Sequence, residues 1–321
     1  MGVDLTTVFY VMIMAVVQGV AEFLPISSSG HLLFLGKFLE LPEVVTLSIL
    51  LHAGTLLSVL FYFSREIIQA FTTKLRVAGL VVVGTIPTVI IAFGIMKFAP
   101  SLEENLLLAG CLFIVTGILL LTILRRRCQM TDHQIYYEQI QLAEEGSGDE
   151  IREDEPKTEE TTTFLDALLV GIAQGAAALP GLSRSGSTIA AAVGMNFDRE
   201  WAAKFSFLLS IPVIGGGAFL EILKLLKHAE GETVSEKIFS DPLLVVYFGG
   251  AAVSFIVGWL SLAFLMRMLR DGKLHRFAYW LFFVGPLAIA YWCFENWTTV
   301  SAFLEEHNVH VSALLQSVGL A

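Results

Sequence analysis

Long apolar runs, separated by short polar clusters, dominate the chain. Val44–Phe63, Val77–Phe98, Leu106–Leu124, Leu243–Leu265 and Phe277–Phe294 each approach the length of about 20 residues that a helix needs to cross a ~30 Å hydrocarbon core. The strands of a transmembrane barrel would instead alternate in segments of roughly ten residues. The pattern predicts an all-α polytopic membrane protein. Two further apolar segments, Val8–Val17 and Phe164–Ala173, meet Gly and Pro before they are long enough to span. Proline removes a backbone donor and clashes with the preceding turn, so a helix breaks there. Broken backbone at membrane depth persists only where protein or a polar cavity satisfies it. Each short segment is therefore expected to open a re-entrant helix–loop–helix hairpin.

The two breaks are alike. "QGVAEFLPISSSG" (Gln18–Gly30) and "QGAAALPGLSRSG" (Gln174–Gly186) both begin Gln-Gly, contain Leu-Pro and end Ser-x-Ser-Gly, with the final Gly 12 residues after the Gln in each. "SILL" (Ser48–Leu51) and "SFLL" (Ser206–Leu209) are a weaker echo. The expected organisation is a first repeat over residues 1–128, an acidic cytoplasmic loop over 129–163, and a second repeat over 164–321. Each repeat is expected to hold a re-entrant hairpin, about 5–39 and about 164–197, followed by three spans. An odd number of spans makes the second hairpin enter from the opposite side, which gives inverted topology. Arg65, Lys74 and Arg76, then Arg125–Arg127, then Arg267, Arg270, Lys273 and Arg276 fall on one side of this scheme. By the positive-inside rule that side is cytoplasmic. Lys37, Lys97, Lys224, Lys227 and Lys237 fall on the other, as do both termini.

Composition agrees with a membrane chain: 55% hydrophobic and 16% charged, against roughly 25% charged in soluble domains, with a mean hydropathy of +0.71. The net charge of −10 is local. Eleven acids face only Arg152 and Lys157 between Asp132 and Glu160, leaving the remainder near −1. Such a stretch reads as a solvated loop. Asp4, in place of Lys or Arg before the first apolar stretch, reads against a cleaved signal peptide. Cys111, Cys128 and Cys293 are far apart, which points to no disulfide framework and no zinc site.

The chemistry concentrates at the two breaks. The first holds Glu22 and His31 with Ser27, Ser28, Ser29 and Gly30; the second holds Arg184 with Ser183, Ser185, Gly186 and Thr188. Ionisable residues at membrane depth are costly and mark a pathway or a site. Arginine presents a planar fork of donors suited to phosphate oxygens, and glycines beside serines turn backbone N–H groups toward an anion. Ser28 and His31 are three apart, so on one helix they would share a face, a spacing that suits a serine activated by a histidine. Gln18 lies one turn before Glu22, and that carboxylate is a natural ligand for Mg²⁺ shared with phosphates. These parts describe phosphoryl transfer. Glu22 with Arg184 also reads as a structural ion pair, and the serines as helix caps. His52 reads as an interhelical hydrogen-bonding histidine rather than a reacting group.

At these residues the sequence resembles the undecaprenyl-pyrophosphate phosphatase family, bacterial enzymes linked to bacitracin resistance. One family signature stands here as "QGVAEFLPISSSGH" (Gln18–His31), another as "PGLSRSGST" (Pro180–Thr188), and "REWAAKFSFLLSIP" (Arg199–Pro212) is a third shared stretch. The resemblance implies hydrolysis of undecaprenyl pyrophosphate to the monophosphate and phosphate at an outward-opening site in the bacterial inner membrane. It implies a divalent metal, Mg²⁺ or Ca²⁺, and roles for Glu22, Ser27, Ser28, His31, Ser183, Arg184, Ser185 and Thr188, with Gln18 in a variable Glu/Gln place. His52 stands where a neutral amide is expected. The partners implied are the lipid substrate and the bilayer, with no nucleic acid, and a homodimer is the candidate assembly. The phosphatidate-phosphatase superfamily does not fit, because no histidine occurs between Arg184 and His228. A flippase of a polyprenyl phosphate is the rival reading, since inverted repeats with broken helices also build transporters.

Overall fold

The computed structural model describes residues 4–39, 44–121, 155–228, 242–298 and 301. Apart from an isolated bridge between Lys157 and Phe197, the regular structure of the described residues is helical. The helices are α1 (Leu5–Ala21), α2 (Ser28–Phe38), α3 (Val44–Tyr62), α4 (Ser64–Thr72), α5 (Leu75–Phe98), α6 (Leu106–Leu119), α7 (Phe164–Ala176), α8 (Arg184–Gly194), α9 (Arg199–His228), α10 (Pro242–Arg270) and α11 (Phe277–Glu295). Four segments among the described residues, in α5, α9, α10 and α11, are long and apolar enough to cross a membrane. A fifth is formed if α3 and α4 count as one span, bent by 69° at Phe63. This is a multi-pass helical membrane protein. Exposed Val82, Ile86, Ile90 and Phe93 on α5, and Phe283 on α11, face outward as an apolar belt, the surface a bilayer covers.

Most of the expected spans reappear with small shifts at their ends. The run Leu106–Leu124 is described as a helix of 14 residues, Leu106–Leu119, and its course beyond residue 121 lies outside the described residues. So do the Arg125–Arg127 cluster, Cys128, Lys237, and the part of the acidic insert before residue 155. The end of that insert is tied to the helices. Arg76 donates to the carbonyls of Glu159 and Thr162 at 2.9 and 2.6 Å, and Lys74 pairs with Glu159. Trp201 Nε1–H donates to Thr162 Oγ1 at 2.8 Å.

Small residues let the helices approach closely, the means by which membrane helices gain packing without a hydrophobic drive between them. A Cβ on Gly171 of α7 would stand 2.0 Å from the Gly84 carbonyl of α5, and one on Gly54 of α3 would stand 2.2 Å from the Ala251 carbonyl of α10. Hydroxyls add interhelical hydrogen bonds: Thr88 Oγ1 to Gly171 O at 2.8 Å, Ser58 Oγ to Phe255 O at 2.7 Å, and Ser254 Oγ to Leu51 O at 3.0 Å. α1 packs on α10 and α7 on α5; α3 packs on α10 and α9 on α5; α6 and α11 pair with each other. These contacts hold the two non-helical tips, Glu22–Ser27 between α1 and α2 and Ala177–Ser183 between α7 and α8, inside the bundle.

Candidate active site

Each tip ends in a serine that starts the next helix. Ser27 Oγ accepts from Gly30 N–H at 3.5 Å, and Ser183 Oγ accepts from Gly186 N–H at 3.1 Å. Serine is a favoured cap because its short side chain meets the free N–H groups of the first turn. Ser27 adopts φ 67°, a conformation costly for a residue with a Cβ and held here by its surroundings. Its Oγ also accepts from Gly181 N–H of the other tip at 3.1 Å, while Ser185 Oγ donates to Leu24 O at 3.2 Å. Gly181 has φ +90°, and a Cβ there would lie 2.1 Å from the Ala109 carbonyl. Thr116 of α6 closes the junction, donating to Gly181 O at 3.1 Å and accepting from Ser183 N–H at 3.2 Å. Phe23 anchors the first tip, fully buried with its ring edge on Phe207.

This scaffold brings Glu22, Ser28 and Arg184 together. Arg184 Nη2 pairs with Glu22 Oε1, and Ser28 Oγ donates to Glu22 Oε2 at 2.6 Å. Gln18 Nε2 donates to the same Oε2 at 3.0 Å. Arg184 Nη1 is buried and has no hydrogen-bond partner among the described residues, so one prong of the guanidinium holds the carboxylate and the other is free. The three groups line a cavity of about 180 Å³ whose lining also includes Thr88, Gln174 and Ser210 among apolar residues such as Leu182 and Ile214. Burying a charge-bearing set of this kind is tolerable when each charge is paired; the free donor is the group an anion would satisfy.

The expected pairing of Ser28 with His31 does not form. His31 Nδ1–H donates to Ser27 O at 2.8 Å, and its Nε2 accepts from Trp280 Nε1–H at 2.9 Å. A carbonyl only accepts and an indole only donates, which fixes the tautomer and leaves neither ring nitrogen for Ser28. Phe113 packs edge-on against the imidazole. The histidine facing the carboxylate is His52, with Nε2 3.5 Å from Glu22 Oε2 and Nδ1–H donating to Ser48 O at 2.7 Å. Its Nδ1 bond stays within α3, while Nε2 makes the expected interhelical contact, to Glu22 at the end of α1.

The remaining expected residues divide between cavity and scaffold. Ser27, Ser29 and Ser183 line the cavity. Ser185 is buried against Leu24, and Gly186 sits where a Cβ would press on Ser183 and Pro25. A Cβ on Gly30 would stand 2.6 Å from the Phe113 ring. Thr188 Oγ1 lies 2.5 Å from Ser206 Oγ and donates to Arg184 O at 2.8 Å, which braces the helix that carries Arg184.

The oxygen atoms a hard cation would meet are the Glu22 carboxylate, which already accepts from Arg184, Ser28 and Gln18, and the Gln18 amide oxygen; among the described residues no three His, Cys, Asp or Glu side chains cluster. Gln18 Oε1 is buried without a hydrogen-bond partner beside Glu22. One carboxylate and one amide oxygen are too few for an all-protein cage, but Mg²⁺ commonly takes one or two carboxylates and completes its shell with phosphate oxygens and water.

A helical membrane protein whose two broken tips enclose a carboxylate, a guanidinium and a serine hydroxyl belongs to the class that handles phosphate-like anions within the bilayer. The profile of the family described as bacitracin resistance protein BacA matches residues 11–287, and the chain belongs to that family. It is 41% identical over 280 residues to an undecaprenyl-diphosphatase of Rhodopirellula baltica, covering 87% of this chain and 96% of that protein. It is 38% identical over 279 residues to an undecaprenyl-diphosphatase of Carboxydothermus hydrogenoformans (86% and 94% covered), and 36% identical over 286 residues to one of Halothermothrix orenii (88% and 97% covered).

Proposed function

We propose that this protein is a membrane phosphatase that hydrolyses undecaprenyl pyrophosphate to undecaprenyl phosphate and phosphate, and so recycles a lipid carrier for cell-wall synthesis. The observation that carries the reading is the junction of Ser28, Glu22 and Arg184 between the two tips, in a chain of this family. The free prong of Arg184 binds an oxygen of the terminal phosphate. Ser28 Oγ attacks the terminal phosphorus and its proton passes to Glu22 Oε2, the acceptor it already faces. The P–O bond to the lipid phosphate breaks, undecaprenyl phosphate leaves, and water then releases phosphate from the serine. Arg184 and the N–H groups at the starts of α2 and α8 stabilise charge on the phosphoryl oxygens. His31 acts by clamping the Ser27 carbonyl, which fixes the tip from which Ser28 projects. Glu22 and Gln18 Oε1 would hold Mg²⁺ or Ca²⁺, which when bound supplies charge neutralisation for the pyrophosphate.

The hydrogen bond from Ser28 to Glu22 favours hydrolysis over lipid flipping, because binding alone does not require a hydroxyl aligned with a proton acceptor. The two halves are read as inverted repeats with re-entrant hairpins. The exchange of partners supports this: α1 on α10 corresponds to α7 on α5, α3 on α10 corresponds to α9 on α5, and α6 meets α11. Arg76 and Lys74 gripping residues 159–162 support a cytoplasmic position for the insert, with both termini and the cavity mouth on the other side. Purified protein given undecaprenyl pyrophosphate should release phosphate, and release should fall on chelation of divalent metal. Tight binding without phosphate release would overturn the reading.

A further inference from the structure

We propose that the prenyl chain of the substrate lies in an apolar groove that leaves the catalytic cavity between α5 and α9 and ends beneath α4. The inference rests on the function proposed above and adds where the lipid portion is held.

The groove has a volume of about 560 Å³, within the range of roughly 300–1,000 Å³ that accommodates small organic ligands. Among its lining residues Thr85 alone carries a side-chain polar atom, and that hydroxyl is already donated to Val81 O at 2.7 Å. No side chain lining it has a free donor for a polar ligand. It is shaped by Thr85 and Val89 of α5, Ile211 and Pro212 of α9, and Ile67 and Phe71 of α4. Bent by 69° from α3, α4 lies across its end.

Its register with the catalytic cavity identifies the occupant. The cavity is walled on the same two helices by Thr88 and Ala92 of α5 and Ile214 of α9. Thr85 to Thr88, Val89 to Ala92 and Ile211 to Ile214 are each a three-residue step, which on a helix means the same face one turn along. The groove therefore continues the α5–α9 wall of the cavity; Glu22, Ser28 and Arg184 line the cavity, and none of the groove's residues is charged. A molecule with a pyrophosphate joined to a long isoprenoid chain has that same sequence of chemistry. Two neighbouring seams are closed by small-residue contacts: α7 sits against α5 at Gly171 and Gly84, and α1 against α10, where a Cβ on Gly19 would stand 2.8 Å from Val257. A chain attached to a phosphate at Arg184 leaves through the α5–α9 seam and runs toward the Lys74–Arg76 end of α5.

The test uses the full-length protein in nanodiscs, with undecaprenyl pyrophosphate and the two-isoprene geranyl pyrophosphate as substrates. Val89→Trp fills the mouth of the groove. It should lower kcat/KM for the long substrate by about tenfold or more, the range in which apolar pockets discriminate, and leave the short one unchanged. A second measurement, on the unaltered chain, uses a polyprenyl pyrophosphate carrying a diazirine on its third isoprene. Crosslinks should map to residues 82–90 and 208–212. Crosslinks confined to other helices, or a Val89→Trp protein that turns over both substrates as before, would overturn the groove assignment. Wild-type protein that hydrolyses neither substrate would overturn the phosphatase reading instead, and the crosslink would still report where the lipid lies.

Discussion

Ser28 and Glu22 share a hydrogen bond of 2.6 Å across the bend between α1 and α2. It points the hydroxyl proton at the same carboxylate oxygen that His52 Nε2 faces at 3.5 Å. The acceptor facing the attacking oxygen in the proposed reaction comes from outside its own helix, α2.

Removal of that hydroxyl is the direct test. Ser28→Ala should reduce single-turnover hydrolysis by at least the ~10²–10⁴-fold typical of losing a positioned proton-transfer partner, with substrate affinity retained through Arg184. Quenched wild-type reactions should yield an acid-stable phosphopeptide containing Ser28. An acid-labile phosphate on His31 would instead make the histidine the nucleophile and require it to leave Trp280.

Arg184→Lys should impair turnover almost as severely as Arg184→Ala. A lysine offers a point charge and cannot hold Glu22 with one prong and phosphate with the other. Near wild-type turnover in the lysine variant would reduce Arg184 to a source of charge. The alanine variant should also melt at lower temperature, because it leaves Glu22 buried without its partner, a loss of roughly 3–5 kcal/mol in buried pairs. Adding Glu22→Ala should restore part of that stability.

Gly181→Ala should destabilise the tip. It combines φ +90° with a Cβ 2.1 Å from a backbone carbonyl, and such strained backbone alone costs of order 1–3 kcal/mol. Gly94→Ala is the control, since a Cβ there meets nothing within 4 Å. Thermal unfolding in detergent should show a clear loss for the first and none for the second.

Protease added to intact cells should leave the insert around residues 129–163 uncut, while inside-out vesicles should lose it. Cleavage from the outside would reverse the topology proposed for both hairpins.

The two helix breaks were legible in the sequence because Pro25, Pro180 and the clustered serines interrupt apolar periodicity, and interruption is a local signal. The division of labour among their side chains was less so. Spacing alone pairs Ser28 with His31, but the positive φ of Ser27 sets the start of α2 so that His31 turns back to the Ser27 carbonyl. His52 sits in an unbroken apolar run, and nothing along α3 reveals that α1 brings Glu22 beside it. Ser185 and Gly186 carry the sequence signature of an anion site, yet their atoms serve the contact between the tips. The separate helix α4 leaves no mark in the sequence pattern, because Phe63, where the chain bends, is an ordinary apolar residue at the end of an apolar run.

Ser28 and Arg184 are each the first helical residue after a capping serine, so one backbone frame delivers both the proposed nucleophile and the proposed clamp. Two identical copies of either half would present a pair of serines or a pair of arginines at that frame. Neither pair joins an attacking oxygen to a guanidinium. Glu22 has no twin either, for Ala178 occupies its place in the second half. On the proposed chemistry, a symmetric dimer of half-length chains could grip an anion without cleaving it. Joining the halves in one polypeptide is what frees the two equivalent positions to diverge.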